Sequence, residues 1–498
     1  MKSIVNSLFK THSKKQNMKK TKTALLALAV SMFTQQAKAQ TVNPSNGTAA
    51  QEVAPVEEKS NIPWDGFDQS WVNGNDRRDS SIFHIPYFTP SILIDNNATH
   101  SFNNPIDHTV VGSTALSRND EMVISAINVG GDFSYGNARG RIMTQFGARS
   151  QVVPRNDLSP YRGQYDLVDA YRYLDEAYAG YHFNKWYGIN VDFGLFMSYI
   201  GLNSYYQQEN WEYQASYTSD NTPWFFNGIR VQIFPSKYLK IEPWIINGWQ
   251  SYGMFNALPG LGCNITWIPK ENIKLLTNDY WGTDAAGLVG RHRFHSDNSF
   301  LYRYYNDPTS KGLSRMAFST TFDFGFEKGD GVNGFTNDTA ASSTTQKGPA
   351  QYFVSWMVYN KVWFAKNHLG IYCGGGWMTN PGRYLVLAPT GDASPFPNPY
   401  NPTQSAGTHP FTGNPGDQFT GWDCSAGFSW LPNQSVEFKV EWVHREADVN
   451  YFAGPGGVTS PSGYTYTPLP NTTANPNIWI PDLTKSENRI IFAALFRL

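Results

Sequence analysis

Charged side chains recur at alternate positions along several stretches of this 498-residue chain. Arg139 and Arg141 are separated by Gly140, and Lys240 and Glu242 repeat that spacing. Side chains two residues apart on a β-strand point to the same face. Opposed basic and acidic groups around a water-filled pore set up a field that selects solutes by charge. The chemistry that these residues indicate is therefore selective passage of small molecules rather than covalent catalysis.

The predicted pore-lining side chains all lie on the polar faces of such alternating stretches. They are Arg139, Arg141, Gln145, Arg149, Arg172, Glu176, Asn190, Asp192, Arg230, Lys240, Glu242, Asp323, Glu437, Lys439 and Glu441. Two other interpretations stay open: solvated wall residues, or salt bridges to a plug. A polar and aromatic loop at 200–222 is a candidate for a constriction that folds inward, through Tyr205, Tyr206, Glu209 and Trp211.

Enzyme signatures are scarce in the sequence. It contains no HExxH, no G-x-S-x-G and no phosphate-binding loop. His292, His295 and Ser296 are residue types that a hydrolase uses, but nothing in their spacing sets a catalytic geometry. The three cysteines are far apart and lack metal-ligand spacing, so we expect small apolar packing roles for them, with a disulfide left open. We therefore predict no enzyme activity, no cofactor and no metal.

Long strands with one apolar face must position the charges. Apolar and polar residues alternate from 187 to 197, and a second alternating stretch at 173–183 precedes them across the turn at 184–186. Each stretch is long enough for a transmembrane strand, which needs roughly 9–11 residues. The pattern predicts a hairpin whose apolar face is outside and whose polar face is inside.

The hairpin pattern repeats along the chain and predicts an all-β protein. Seven hairpins with a first and a last strand give about sixteen strands, connected alternately by short turns and by long loops rich in Gly, Pro, Asn and Ser. We interpret residues 90–498 as a transmembrane, antiparallel, up-and-down β-barrel. A secreted β-sandwich also shows alternation, but strand length and the alternation of loop lengths argue against it.

The N-terminal residues carry targeting information. Residues 1–39 contain eight lysines and no acid, a short apolar core, and Ala37 and Ala39 at the positions of a small-x-small cleavage site. We interpret 1–39 as a signal peptide and 40–89 as a periplasmic leader or partial plug. Cleavage would change the formal net charge from −1 to −9, and such an acidic exported chain is a poor candidate for nucleic-acid binding.

Several stretches resemble one family, the OmpL-like β-barrel porins. They are 174–183 (LDEAYAGYHF), 188–202 (GINVDFGLFMSYIGL), 210–231 (NWEYQASYTSDNTPWFFNGIRV), 245–250 (IINGWQ) and 441–461 (EWVHREADVNYFAGPGGVTSP). The similarity covers most of the chain from about residue 64 onward. It implies an outer-membrane channel of a Gram-negative bacterium and supplies no catalytic residues.

Together these features predict a porin that lets small hydrophilic solutes diffuse passively. The alternative is a barrel that acts as a surface ligand-binding protein or adhesin, or as a lipid hydrolase. The expected partners are outer-membrane lipid, small hydrophilic solutes and the barrel-assembly machinery, with no nucleic acid. Assembly into a homo-oligomer is left open by the sequence.

Overall fold

The computed structural model describes residues 61–76, 85–154, 157, 163–337, 348–382, 384–385, 387, 415–459, 462–464 and 481–498. The predicted signal peptide at 1–39 and the first part of the leader, 40–60, lie outside these residues. Neither prediction is tested by the structure.

Sixteen strands in the described part of the chain form one antiparallel sheet that closes on itself. Each strand pairs with the next, and the last pairs with the first from Leu93 opposite Arg497 to Ser101 opposite Arg489. The prediction of an all-β antiparallel barrel of about sixteen strands is confirmed. The strands are β1 Phe88–Ser101, β2 Met122–Tyr135, β3 Ala138–Thr144, β4 Leu174–Phe183, β5 Ile189–Met197, β6 Phe225–Ser236, β7 Leu239–Ile246, β8 Gly260–Lys270, β9 Ile273–Gly282, β10 His292–Asn306, β11 Leu313–Gly329, β12 Tyr352–Phe364, β13 Leu369–Thr379, β14 Thr420–Asn433, β15 Val436–Ala447 and β16 Ser486–Arg497.

The remaining elements are short. Within the described residues they are the helices α1 Arg149–Val152, α2 Leu167–Tyr171 and α3 Tyr217–Asn221, the 3-10 turn Gln207–Glu209, and the two-residue strands Val332–Asn333, Phe452–Ala453 and Leu483–Thr484. None of the described helices has the length and apolar character needed to cross a membrane.

The alternation read from the sequence determines which side chains face out. On β5, Phe193 keeps 67% of its surface exposed while its neighbour Asp192 is fully buried. Trp356 and Phe492 are likewise more than half exposed on the outside of their strands. An apolar outer surface around a polar interior is the arrangement expected of a barrel surrounded by lipid.

The two ends of the barrel differ. Seven connections of two to six residues join β2 to β3, β4 to β5, β6 to β7, β8 to β9, β10 to β11, β12 to β13 and β14 to β15. We call this the short-turn end; β1 begins there and β16 ends there. The long connections lie at the other end, as predicted.

Strand β10 begins earlier than the sequence suggested. Regular alternation of apolar residues in the sequence predicts a strand only from about Ser299 onward, but the strand begins at His292. In residues 292–298, Phe294 is the one apolar residue on the outward face. The inward face carries Arg293, His295 and Asp297, so both faces of this part of the strand are largely polar. These polar groups contact partners inside the barrel. A pattern of hydrophobic residues in the sequence does not predict such partners.

Three segments fill much of the barrel interior. Residues 102–121 enter after β1, residues 198–224 enter between β5 and β6, and residues 61–76 lie at the short-turn end. Val110 and Leu116 of the first segment pack with Tyr213 of the second in one buried cluster that includes inward residues of β16. We call residues 198–224 the inward loop.

Candidate functional site

Lys439 on β15 holds the inward loop to the barrel wall. Its ammonium group donates hydrogen bonds to the backbone carbonyls of Gln207 (3.3 Å), Asn210 (2.8 Å) and Glu212 (3.2 Å). The side chain is almost completely buried. Lys439 was predicted to line the pore; it does point inward, but its three donors are directed at the loop.

Glu441 and Arg445 continue the same face of β15. Glu441 accepts hydrogen bonds from the backbone N–H groups of Tyr213 (2.6 Å) and Gln214 (2.9 Å). Arg445 forms an ion pair with Asp220 at 2.7 Å and also donates to backbone carbonyls of the two inserted segments. Charged side chains of one strand therefore fix the inward loop along most of its length.

The tyrosines of the predicted constriction lie inside the barrel. The Tyr205 hydroxyl donates to Gln145 at 2.6 Å, and the Arg149 guanidinium lies 3.8 Å from the Tyr205 ring centre. The Tyr206 hydroxyl donates to Glu176 at 3.1 Å. These contacts join the loop to β4 and to the segment after β3.

The other two constriction candidates approach the short-turn end. The Trp211 indole is fully buried and donates to the Trp71 carbonyl at 3.1 Å. Glu209 lies on the 3-10 turn, where desolvation, together with the nearby Asp76 carboxylate, raises its pKa to about 7. The four candidates are thus all on the inward loop, against the wall or against residues 61–76.

Asp68 attaches residues 61–76 to the inner wall. Its carboxylate lies 2.7 Å from Arg303 on β10 and 2.9 Å from Arg315 on β11. Burial raises the pKa of Asp68, but hydrogen bonds from Ser70 and the two arginine charges outweigh it, so that the pKa lies below its usual value. The described part of the predicted leader therefore contacts the barrel interior through specific ion pairs.

A cavity of about 370 Å³ remains on the opposite side, against β4–β9. The charged side chains that line it are Glu176, Arg230, Lys240, Glu242 and Lys274. Lys240 pairs with Glu242 at 3.1 Å, and Arg230 pairs with Asp192 at 2.9 Å. We call this space the β4–β9 cavity; it brings together residues that the sequence predicted as one group.

The predicted arginines of β3 are paired with acids. Arg141 lies 2.6 Å from Asp132 and 2.5 Å from Glu176, and Arg139 lies 3.3 Å from Asp192. Mixed charges therefore run from the short-turn end of β2 and β3 to the β4–β9 cavity. Such pairing lowers the cost of placing charge on the inner wall.

Two predicted pore-lining arginines are not on strands. Arg149 lies in α1, because β3 ends at Thr144, and its guanidinium binds the Tyr205 carbonyl. Arg172 follows α2, because β4 begins at Leu174, and pairs with Asp169 at 3.0 Å. The prediction of strand positions for both was wrong, since local pairing in the long loop replaces the ladder there.

The remaining predicted pore-lining side chains point inward and lie against neighbouring side chains. Asn190 donates to Gln232 at 3.0 Å. Glu437 lies 3.9 Å from both Lys361 and Lys439. Asp323 is fully buried opposite Asp297. These positions belong to the inner wall.

Several cations of the inner wall were not predicted from the sequence, and three of them matter for the site. Arg303 and Arg315 hold Asp68, and Lys274 lines the β4–β9 cavity. Lys274 is followed by Leu275 and Leu276, which breaks the alternation around it. For Arg303 and Arg315 the available signal was their position on alternating strands, read together with the acid at Asp68.

The histidine that raised the hydrolase alternative has a packing role. His295 is fully buried, its Nδ1 lies 2.9 Å from the Tyr384 hydroxyl, and its ring stacks on Phe353. Ser296 is the next residue along β10 and points to the other face. The strand geometry therefore points the side chains of His295 and Ser296 to opposite faces.

The cysteines differ from expectation. Cys263, Cys373 and Cys424 are all free, and they lie on outward faces, where Cys373 is exposed and the other two are half-buried. The expectation of buried packing roles was wrong, because outward positions contact the surroundings of the barrel. Among the described residues no group of three His, Cys, Asp or Glu side chains is arranged to hold a metal ion.

Comparison with known proteins gives one family match. The family model described as "Putative beta-barrel porin-2, OmpL-like" matches residues 88–468. A search of curated proteins finds no match.

Three solved structures that are similar to this chain are outer-membrane proteins. The outer membrane channel DcaP of Acinetobacter baumannii is 10% identical, with a TM-score of 0.45, covering 82% of this chain and 97% of that chain. The anion-selective porin from Comamonas acidovorans is 8% identical, with a TM-score of 0.44, covering 82% and 99%. OprD from Pseudomonas aeruginosa is 8% identical, with a TM-score of 0.36, covering 86% and 97%.

Proposed function

The chain belongs to the OmpL-like β-barrel porin family, and we propose that it is a passive diffusion channel for small hydrophilic solutes in the Gram-negative outer membrane. One observation carries the proposal: a closed barrel with an apolar exterior retains a cavity lined by charges of both signs. Such a lining suits hydrated solutes, because it offers donors and acceptors along the wall.

The solute path in this proposal follows the β4–β9 wall. The inward loop is fastened to the other side through Lys439, Glu441 and Arg445 of β15. Space remains where Arg230, Lys240 and Glu242 face the cavity. A path restricted to one side of the barrel admits small solutes and excludes large ones.

Charge pairs on the cavity wall would determine the selectivity of the channel for solutes and ions. Lys240 and Glu242 are side by side on β7, and Arg230 on β6 is held by Asp192 on β5. Pairs of opposite sign on a narrow wall orient dipolar solutes and moderate the preference for either ion. No observation in the described residues favours the adhesin or lipid-hydrolase alternatives over this function, so we propose no enzymatic activity.

Export and insertion complete the proposal. The lysine-rich segment 1–39 would direct secretion, and the barrel-assembly machinery would insert the strands with their apolar faces toward lipid. Exposed outward residues such as Phe193, Trp356 and Phe492 support the contact with lipid. We propose no nucleic-acid partner and leave self-association as an expectation.

Liposome swelling tests the function directly. Purified protein is reconstituted into liposomes, which are diluted into isotonic arabinose, glucose, sucrose or raffinose. We expect fast swelling with the pentose and progressively slower swelling as the sugars grow. Liposomes that swell in none of these solutes, together with no single-channel conductance in planar bilayers, would overturn the proposal.

A further inference from the structure

Lys274 on β9 is a buried lysine that forms no ion pair with any acid in the described part of the chain. It is only 7% exposed, and its ammonium group donates to the side-chain oxygen of Asn75 at 3.0 Å. That amide oxygen is an acceptor but carries no negative charge. By contrast, Arg230 and Lys240, which line the same cavity, each have a carboxylate within 3.1 Å.

An uncompensated ammonium in this position is costly. Moving a charge from water into a protein interior is offset only when an opposite charge or several good hydrogen bonds replace the water. The ammonium of Lys274 has three donors, of which Asn75 takes one. Lys240 faces the same cavity, but Glu242 compensates its charge. An anion entering the cavity would accept from the ammonium group of Lys274 and offset its charge.

The charge of the lining matches a single negative charge. Three cations and two carboxylates line the β4–β9 cavity: Arg230, Lys240, Lys274, Glu176 and Glu242. Arg230 is paired with Asp192, Glu176 with Arg141 and Lys240 with Glu242, which leaves the single positive charge of Lys274 unmatched among the described residues. A dianion would leave an excess of negative charge beside Glu242 and Glu176.

The rest of the lining suits a carbon skeleton. Tyr199, Trp244 and Leu276 border the same space, with Tyr199 and Trp244 stacked at 4.9 Å. Apolar and aromatic walls with a few directed polar groups are typical of sites for organic ligands, which occupy about 300–1,000 Å³. The cavity volume of about 370 Å³ falls at the small end of that range.

We infer that the β4–β9 cavity is a binding site for a small organic monocarboxylate, with the ammonium of Lys274 as its anchor. The carboxylate accepts from Lys274, and the carbon skeleton lies toward Trp244 and Leu276. The inference rests on the proposed function, because the ligand would be a solute that the channel carries. It goes further by naming a substrate class and the residue that recognises it.

Benzoate and benzamide are matched probes for this site. They have nearly the same size and ring, but only benzoate carries a negative charge. In planar bilayers in KCl, we expect benzoate to reduce the wild-type single-channel current in a saturable manner, and benzamide to have little effect. Lys274→Gln should raise the half-blocking concentration of benzoate about tenfold or more, as expected for loss of a hydrogen bond to a charged group.

Two further variants separate recognition from general effects. Lys311→Gln removes a positive charge from the exposed turn between β10 and β11. Benzoate should block the current of this variant as it blocks the current of the wild type. Asn75→Asp keeps Lys274 but gives it an internal carboxylate, so it should also weaken the block by benzoate. Since Asn75→Asp adds a salt bridge, its loss of affinity would not be explained by misfolding.

The outcomes distinguish the inference from the function on which it rests. A conducting channel that benzoate does not block, or blocks equally in wild type and Lys274→Gln, would overturn the inference and leave the porin function standing. A protein that never conducts counts against the porin function. Titration calorimetry of benzoate into the detergent-solubilised protein then decides the site: binding that Lys274→Gln weakens supports it, and no binding overturns it.

Discussion

Asp297 on β10 and Asp323 on β11 lie directly opposite each other, and both are fully buried inside the barrel. Asn278 donates to Asp297 at 2.7 Å, and the carboxyl groups of Asp297 and Asp323 are close enough to share a hydrogen bond when one of them is protonated. Like charges directly opposite on neighbouring strands are destabilising. The pair therefore differs from inner-wall acids such as Asp192 and Glu242, which are ion-paired with cations.

Removing one of these acids should stabilise the barrel. Asp323→Asn keeps the size of the side chain and removes a second acid that must either stay protonated or repel Asp297, so we expect the free energy of unfolding at pH 8 to rise by about 1–3 kcal/mol. Urea unfolding in detergent micelles measures it. Asp192→Asn is the matched control: it leaves Arg230 and Arg139 without their counter-ion and should lower stability by about 3–5 kcal/mol. Equal changes in the free energy of unfolding for both variants would contradict the unfavourable pairing of Asp297 with Asp323.

Lys439 should control the position of the inward loop. Lys439→Met leaves three buried carbonyls without a donor, at about 1–3 kcal/mol for each. We expect the loop to detach, with larger and noisier single-channel currents and faster proteolysis of the folded barrel. Lys366→Met, on the exposed turn between β12 and β13, should behave like wild type. Unchanged current and noise in Lys439→Met would mean that the loop does not limit the path.

Acid should release residues 61–76 through Asp68. Its pKa is lowered in the folded protein, so its contribution is fully present above the ordinary value near 4 and is lost as the pH falls through the lowered value. We expect the part of the conductance that depends on Asp68 to be constant from pH 7 to about pH 4 and to rise in more acid solution. Asp68→Asn should already show the raised conductance at pH 7, with a smaller change in acid. If the conductance of Asp68→Asn rises in acid by as much as that of the wild type, a group other than Asp68 causes the rise.

The register predicts which face tolerates charge. Phe193 is 67% exposed at the middle of β5, where a lysine facing hydrocarbon costs about 2–4 kcal/mol. Phe193→Lys should therefore reduce the amount of folded protein in the outer membrane. Gln232→Lys on the adjacent strand points inward toward Glu242 and should insert normally. Folded protein is measured by heat-modifiable mobility of outer-membrane fractions, and equal amounts of both variants would be incompatible with this register.

The barrel could be predicted because its signal is local. Alternation over 187–197 depends only on which face meets lipid, and short turns follow each alternating stretch. The start of β10 was hidden because both faces of its first residues are largely polar. Those side chains are accommodated by partners from distant segments, such as Tyr384 beside His295.

For the barrel interior, the sequence predicts which side chains point inward but not which partners they contact. Alternation correctly indicates that Lys439 and Glu441 point inward, but their partners at 207–214 are more than two hundred residues away. No period in the sequence encodes which loop an inward charge will hold. Lys274 was missed because Leu275 and Leu276 break the alternation around it, and its importance depends on the absence of a nearby acid among the described residues.

The β4–β9 cavity should set ion selectivity, and opposite substitutions on one strand test this. Glu242→Gln leaves Lys240 and Lys274 with one acid fewer, whereas Lys240→Gln removes a cation from the same lining. Charges act over roughly 10 Å at moderate salt, so both changes reach every ion in a narrow path. In a KCl gradient we expect the reversal potential to shift toward anion preference for Glu242→Gln and toward cation preference for Lys240→Gln.

Reversing Arg141 would be a poorer test of the same idea. Arg141 lies between Asp132 and Glu176, so a glutamate there would gather three acids and disturb the fold. Lys240→Gln and Glu242→Gln each remove one charge and add none, and each serves as the control for the other. Lys311→Gln at the exposed turn should leave the potential unchanged. Shifts of the same sign, or no shift with normal conductance, would remove the cavity from the conducting path, because a charge that lines the path must act on the ions that pass it.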